Sequence, residues 1–102
     1  MAIIFENKSI EKNDTGNRMN FPRDATLTNL SFDCNAPGRS RSVTVIDEDT
    51  ECQLTIENKN GRVCFTAGWN AFTVRKKITV RHKISLHKVD GADRYRIIVG
   101  RK

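Results

Sequence analysis

Between residues 57 and 77 the apolar period of this chain changes from two to helical, and that switch restricts the fold more than any other stretch. Asn58-Lys59-Asn60-Gly61-Arg62 opens it as a turn rich in side-chain donors, with Asn60-Gly61 a strong tight-turn signal. Residues 62–66 then read as a strand, Val63 and Phe65 on one face and Arg62, Cys64 and Thr66 on the other. After Gly68, the spacing of Trp69, Phe72, Thr73 and Lys76 predicts a short helix over 69–77 that carries the chain's one tryptophan inward. A polar, cationic loop is thus anchored by a strand and a helix.

The rest of the chain is read mainly as short strands. Residues 2–6 form an apolar strand with Ile3 and Phe5 on one face. Residues 7–17, polar except for Ile10, read as a long loop, and loops of this length are usually functional or disordered. Residues 18–21 are a second brief strand ended by Pro22; residues 23–30 follow as one or two helical turns, with Ala25, Leu27 and Leu30 toward the core. Residues 32–41, with Asn35, Pro37 and Gly38, form a loop. Residues 42–46 and 51–57 pair about the acidic turn Asp47-Glu48-Asp49-Thr50, with Cys52, Leu54 and Ile56 inward. Residues 83–89 turn Ile84 and Leu86 inward, and 94–100 do the same with Tyr95, Ile97 and Val99 across the turn Asp90-Gly91-Ala92-Asp93. About seven strands and two short helices in 102 residues fit one mainly β domain, a barrel or sandwich with helices plugging its ends.

Charge narrows the function. Residues 1–57 hold six Lys/Arg against ten Asp/Glu, a net of −4, whereas residues 58–102 hold twelve against two, a net of +10. A half this basic is the footprint of a polyanion, nucleic acid before an anionic membrane surface. A membrane helix is disfavoured, because the basic half alternates with period two. The N-terminus lacks the basic and apolar regions of a secretory signal, so the sequons at Asn7, Asn13 and Asn29 read as chance matches. Three scattered cysteines, Cys34, Cys52 and Cys64, favour a reducing compartment over a disulfide framework. No Cys-x-x-Cys or His-x-x-x-His offers a metal site, and no phosphate loop, nucleophile elbow or paired inward carboxylates offers catalysis. The chain is therefore expected to be neither an enzyme nor a cofactor protein.

Two blocks together resemble the plant B3 DNA-binding domain. The first is Phe5-Glu6-Asn7-Lys8-Ser9-Ile10-Glu11-Lys12-Asn13-Asp14-Thr15-Gly16, then Arg18-Met19-Asn20-Phe21-Pro22-Arg23-Asp24-Ala25. It is similar to that family's opening of a Lys, a Ser/Thr-Asp loop, an Arg, and an Ile-Pro-Lys-like step into a helix. The second is the strand-Gly-Trp-x-x-Phe block from Phe65 to Phe72. The resemblance spans essentially residues 1–102 in the right order, and is greatest to the divergent reproductive-meristem type. Where many relatives have Gly-Asp before the sixth strand, this chain has Arg81-His82, which makes that turn more cationic.

The resemblance implies a seven-stranded open barrel (pseudobarrel) with two short α-helices at its ends. It also implies a nuclear transcription regulator that grips the major groove of double-stranded DNA with two loops, with protein partners engaged through other parts of a longer chain. Carried over, the first arm is residues 8–18, with Lys8, Ser9, Lys12, Asn13 and Arg18 as contacts. The second arm is residues 58–62, with Asn58, Lys59, Asn60 and Arg62, and Thr66 and Asn70 beside it. Lys and Arg neutralise phosphates, Arg reads guanine and Asn reads adenine; Ser9, Thr66 and the amides at the helix start suit phosphate oxygens. Trp69 is expected in the core, Asp14 is expected to order its loop, and Arg18 pairs with Asp14 or Glu11 as readily as with a phosphate. Two other readings stay open: a protein-interaction domain of the same fold with little DNA affinity, and the recognition domain of a restriction endonuclease.

Overall fold

A computed structural model describes residues 2–30, 32–33, 38–91 and 93–101, without the side chains of Asn13 and Arg101. Seven strands build one sheet: β1 (Ala2–Ser9), β2 (Met19–Asn20), β3 (Ser40–Asp47), β4 (Thr50–Lys59), β5 (Arg62–Phe65), β6 (His82–Lys88) and β7 (Arg94–Arg101). Their order across the sheet is β1-β6-β7-β3-β4-β5-β2, antiparallel throughout except where β3 runs parallel to β7. One α-helix, α1 (Trp69–Lys76), follows β5. The expected mainly β, seven-stranded open barrel is what forms.

The sheet curls because its two edge strands are bridged by the segment that follows β2. Thr26 N–H donates to the Ile4 carbonyl (2.7 Å) and the Asn29 side chain to the Ile3 carbonyl (2.8 Å). At the other edge, Phe21 N–H donates to the Val63 carbonyl (2.9 Å). Free strand edges are thereby covered. Inside, an aromatic column runs Phe5, Phe21, Phe65, Trp69, Phe72, with successive ring centroids 5.0, 5.0, 5.6 and 5.5 Å apart. These are favourable edge and offset spacings. Ile4, Ile56, Ile84, Leu86, Tyr95 and Ile97 close the core around it.

Four expectations change. Residues 2–6 were expected to alternate with Ile3 and Phe5 inward; instead Ile4 and Phe5 are buried and Ile3 is 46% exposed. The cause is a register shift against β6 between Ile3 and Phe5, which turns two successive side chains the same way. The long loop expected over 7–17 is shorter, since β1 continues to Ser9 and a 3-10 turn occupies Lys12–Thr15. The earlier of the two expected helices is also a 3-10 turn, Leu27–Asn29, consistent with the poor helix formers there. Cys64, expected to face outward, is fully buried between β4 and β2. The expected loop over 32–41 falls partly outside the described residues, as does Ala92 of the last turn.

Candidate functional site

Both arms are fastened from beneath. In the first, Asp14 is the knot: its carboxylate accepts the Glu11 N–H (2.9 Å) and the Lys8 ammonium (3.1 Å), and its carbonyl accepts the indole N–H of Trp69 (2.6 Å). The Asn70 amide donates to the Gly16 carbonyl (3.4 Å). Trp69, fully buried as expected, therefore holds the arm as well as the core. Asp14 orders its loop as expected, through its bond to the Glu11 N–H, and its ion pair is made with Lys8 and not with Arg18. The Lys8 and Asp14 side chains are only 9% and 7% exposed, so Lys8 is engaged inside the arm instead of projecting from it. Ser9, Lys12 and Arg18 stay on the surface. The side chain of Asn13 lies outside the described residues.

The second arm is the β4–β5 hairpin. Asn60 (φ 54°) and Gly61 (φ 88°) both take the left-handed conformation that a two-residue turn of this kind requires. Asn58 is buried; its side-chain oxygen accepts the Gly61 N–H (2.8 Å), while its backbone bonds Gly38 and Arg39. It shapes the arm from inside. Arg62 is half-buried and donates twice to the Phe21 carbonyl, from Nε (3.3 Å) and Nη2 (3.0 Å). Its Nη1 has no hydrogen-bond partner among the described residues. Lys59 and Asn60 are exposed at the tip.

An open recess of about 630 Å³ joins the arms, lined by Asn17 and Arg18 from the first, Lys59 from the second, and Thr66, Gly68 and Asn70 from the entry to α1. Gly68 makes that entry possible. Its φ is +88°, and a Cβ there would sit 2.4 Å from the Gln53 carbonyl oxygen, so β4 and the helix start can approach only across a glycine. Thr66 donates its hydroxyl to the Glu57 carboxylate (3.2 Å), which places that carboxylate beside the recess. Four of the expected residues thus meet: Arg18, Lys59, Thr66 and Asn70. Asn17, Ala67 and Gly68 also line the recess and were not singled out as contacts from the sequence, where Asn17 carried only its position beside Arg18.

The field of the cations reaches the sulfur of Cys64 beneath. Burial pushes its thiol up from the ordinary value, opposed by Arg18, reinforced by Glu57, and opposed again by Lys59 and Arg62. A raised folded pKa means that the folded state keeps its proton after the unfolded chain has lost it. The corresponding stability is complete below about pH 9, the ordinary value, and is lost as pH rises toward the folded value. Chemical denaturation from pH 8 to 11 should therefore show a steeper alkaline loss of stability for wild type than for Cys64→Ala; parallel profiles would contradict this.

Among the described residues no group of three or more His, Cys, Asp or Glu is placed to hold a metal ion, and no helix is long and apolar enough to cross a membrane.

No family model matches the sequence, and no curated protein matches it. Solved structures do. The chain is similar to the Arabidopsis FUS3–DNA complex, at 18% identity and a TM-score of 0.69 over 98% of this chain and 97% of that one. It is also similar to a hypothetical protein of Arabidopsis thaliana, at 16% identity and a TM-score of 0.67 over 97% and 94% of the two chains. At these identities the likeness is one of fold, and it extends over nearly the full length of both neighbours.

Proposed function

We propose that this chain is a B3-type duplex-DNA-binding domain of a plant transcription regulator, acting in the nucleus without chemistry of its own and gripping the major groove with its two arms. The observation that carries this reading is the recess in which Arg18 of one arm and Lys59 of the other face the same space, beside the amides that open α1. Neither cation takes part in any ion pair among the described residues. Two cations held together and bound in no ion pair are suited to successive phosphates. A fold shared with a chain solved as a DNA complex adds support.

Within this reading the expected contacts divide by burial. Arg18, Lys59 and Lys12 neutralise phosphates, Ser9 bonds a phosphate oxygen, and Asn60, Asn70 and the outer edge of Arg62 are available to base edges, while Thr66, its hydroxyl donated to Glu57, shapes the recess. Lys8 and Asn58 serve as positioning residues. The test is titration of a labelled mixed-sequence duplex between 50 and 200 mM salt. Binding whose log K falls linearly with log salt is expected, at a slope of about −0.9 per phosphate contacted. Absent or salt-independent binding at low ionic strength overturns the proposal, and would favour the protein-interaction reading.

A further inference from the structure

The first arm has two feet. Its far foot, Asn17 and Arg18, stands in the recess. Its near foot is where the chain leaves β1, and there the neighbouring element is the turn that enters β6. Ile10 N–H donates to the His82 carbonyl (3.1 Å), and Ser9 lies opposite Lys83 in the β1–β6 ladder. Residues directly opposite in a ladder point to the same face. Lys83 is therefore beside the exposed Ser9, and Arg81 is exposed one residue before the strand.

This turn is built to hold its shape. His82 N–H donates to the Thr79 carbonyl (3.0 Å), Thr79 N–H donates to His82 Nδ1 (2.9 Å), and Arg81 N–H reaches the Thr79 hydroxyl (3.3 Å). Its cations are also left uncompensated. The ion pairs among the described residues match Asp47 with Lys76, Glu51 with Arg94, Asp93 with Arg41 and Asp14 with Lys8, and pair Glu6 with His87. None involves Arg81 or Lys83.

We infer that the turn entering β6 is a third DNA-contacting element, in which Arg81 and Lys83 hold backbone phosphates at the near foot of the first arm while Arg18 and Lys59 hold others at its far foot. This inference rests on the duplex-DNA reading above. Scale permits it: from Ile10 to Asn17 the chain spans at most about 25 Å, some seven base-pair rises of B-DNA. A duplex that follows the arm therefore passes both feet. Pre-ordering of the turn keeps the entropy cost of the contact low.

The experiment measures the salt dependence of duplex binding for wild type, for Arg81→Gln/Lys83→Gln, and for Arg96→Gln. Arg96 lies opposite His87 in the β6–β7 ladder, five positions from the His82–Arg101 pair at the β6 entrance. The double variant should lower the log–log slope by about 1.8, two phosphates at about 0.9 each, with an unchanged melting temperature; Arg96→Gln should leave the slope at the wild-type value. An unchanged slope in the double variant, or an equal loss per charge in Arg96→Gln, overturns the third contact even if wild type binds DNA. Failure of wild type to bind would instead remove the reading beneath it.

Discussion

Trp69→Ala lowers the free energy of unfolding by about 3–5 kcal/mol, the usual cost of emptying a fully buried indole site. The ring stands between Phe65 and Phe72 in the aromatic column, at 5.6 and 5.5 Å, so its removal leaves a void between two core neighbours. The same change strips the Asp14 carbonyl of its 2.6 Å donor and releases the first arm from the helix. Trp69→Phe separates the two roles. It keeps most of the stacking but not the N–H, and costs about 1–3 kcal/mol for a buried acceptor left without its partner. Urea denaturation followed by circular dichroism measures both. An alanine variant within about 1 kcal/mol of wild type would show that the column does not depend on this ring. Amide exchange on residues 11–16 gives the second readout: faster exchange in Trp69→Phe than its small global loss explains is expected, because the arm's tether is cut while the core persists.

How much of this was legible in the sequence depends on how local each cause is. The β3–β4 and β4–β5 hairpins and α1 were readable because strict alternation, Asn60-Gly61 and the Trp69/Phe72/Thr73 spacing are all short-range signals. The bulge in β1 was not, since it answers to β6, some eighty residues away. Burial of Cys64 likewise follows from β2 pairing with β5 on its free side, a long-range contact made by a two-residue strand. At the site, residue type offered Lys59 and Lys8 alike as phosphate ligands and left Arg18 open between a carboxylate and a phosphate. What separates them is the position of Asp14 in three dimensions: a carboxylate six residues on becomes a neighbour only once the 3-10 turn at Lys12–Thr15 forms. Asn58 was misleading for a similar reason. An amide next to a tight turn can project outward or fold back, and here it folds back to accept the Gly61 N–H.

Arg18→Glu/Lys59→Glu should weaken duplex binding by on the order of 100-fold to 1,000-fold at low salt, since each contact from a charged donor is worth about 1.5–3 kcal/mol before repulsion is counted. Both side chains are exposed and outside every ion pair among the described residues, so the melting temperature should stay near the wild-type value. The two residues come from different arms and share one recess, which sets their coupling. If a single stretch of backbone passes between them, reversing one charge displaces the phosphates that the other holds. The double variant then loses less than the product of the single losses. If each arm bound an independent segment, the losses would multiply. Binding constants for the two single variants and the double, at one fixed salt concentration, decide between these. A full product, or a double variant that binds as wild type does, would remove the shared recess as the place where duplex DNA is held.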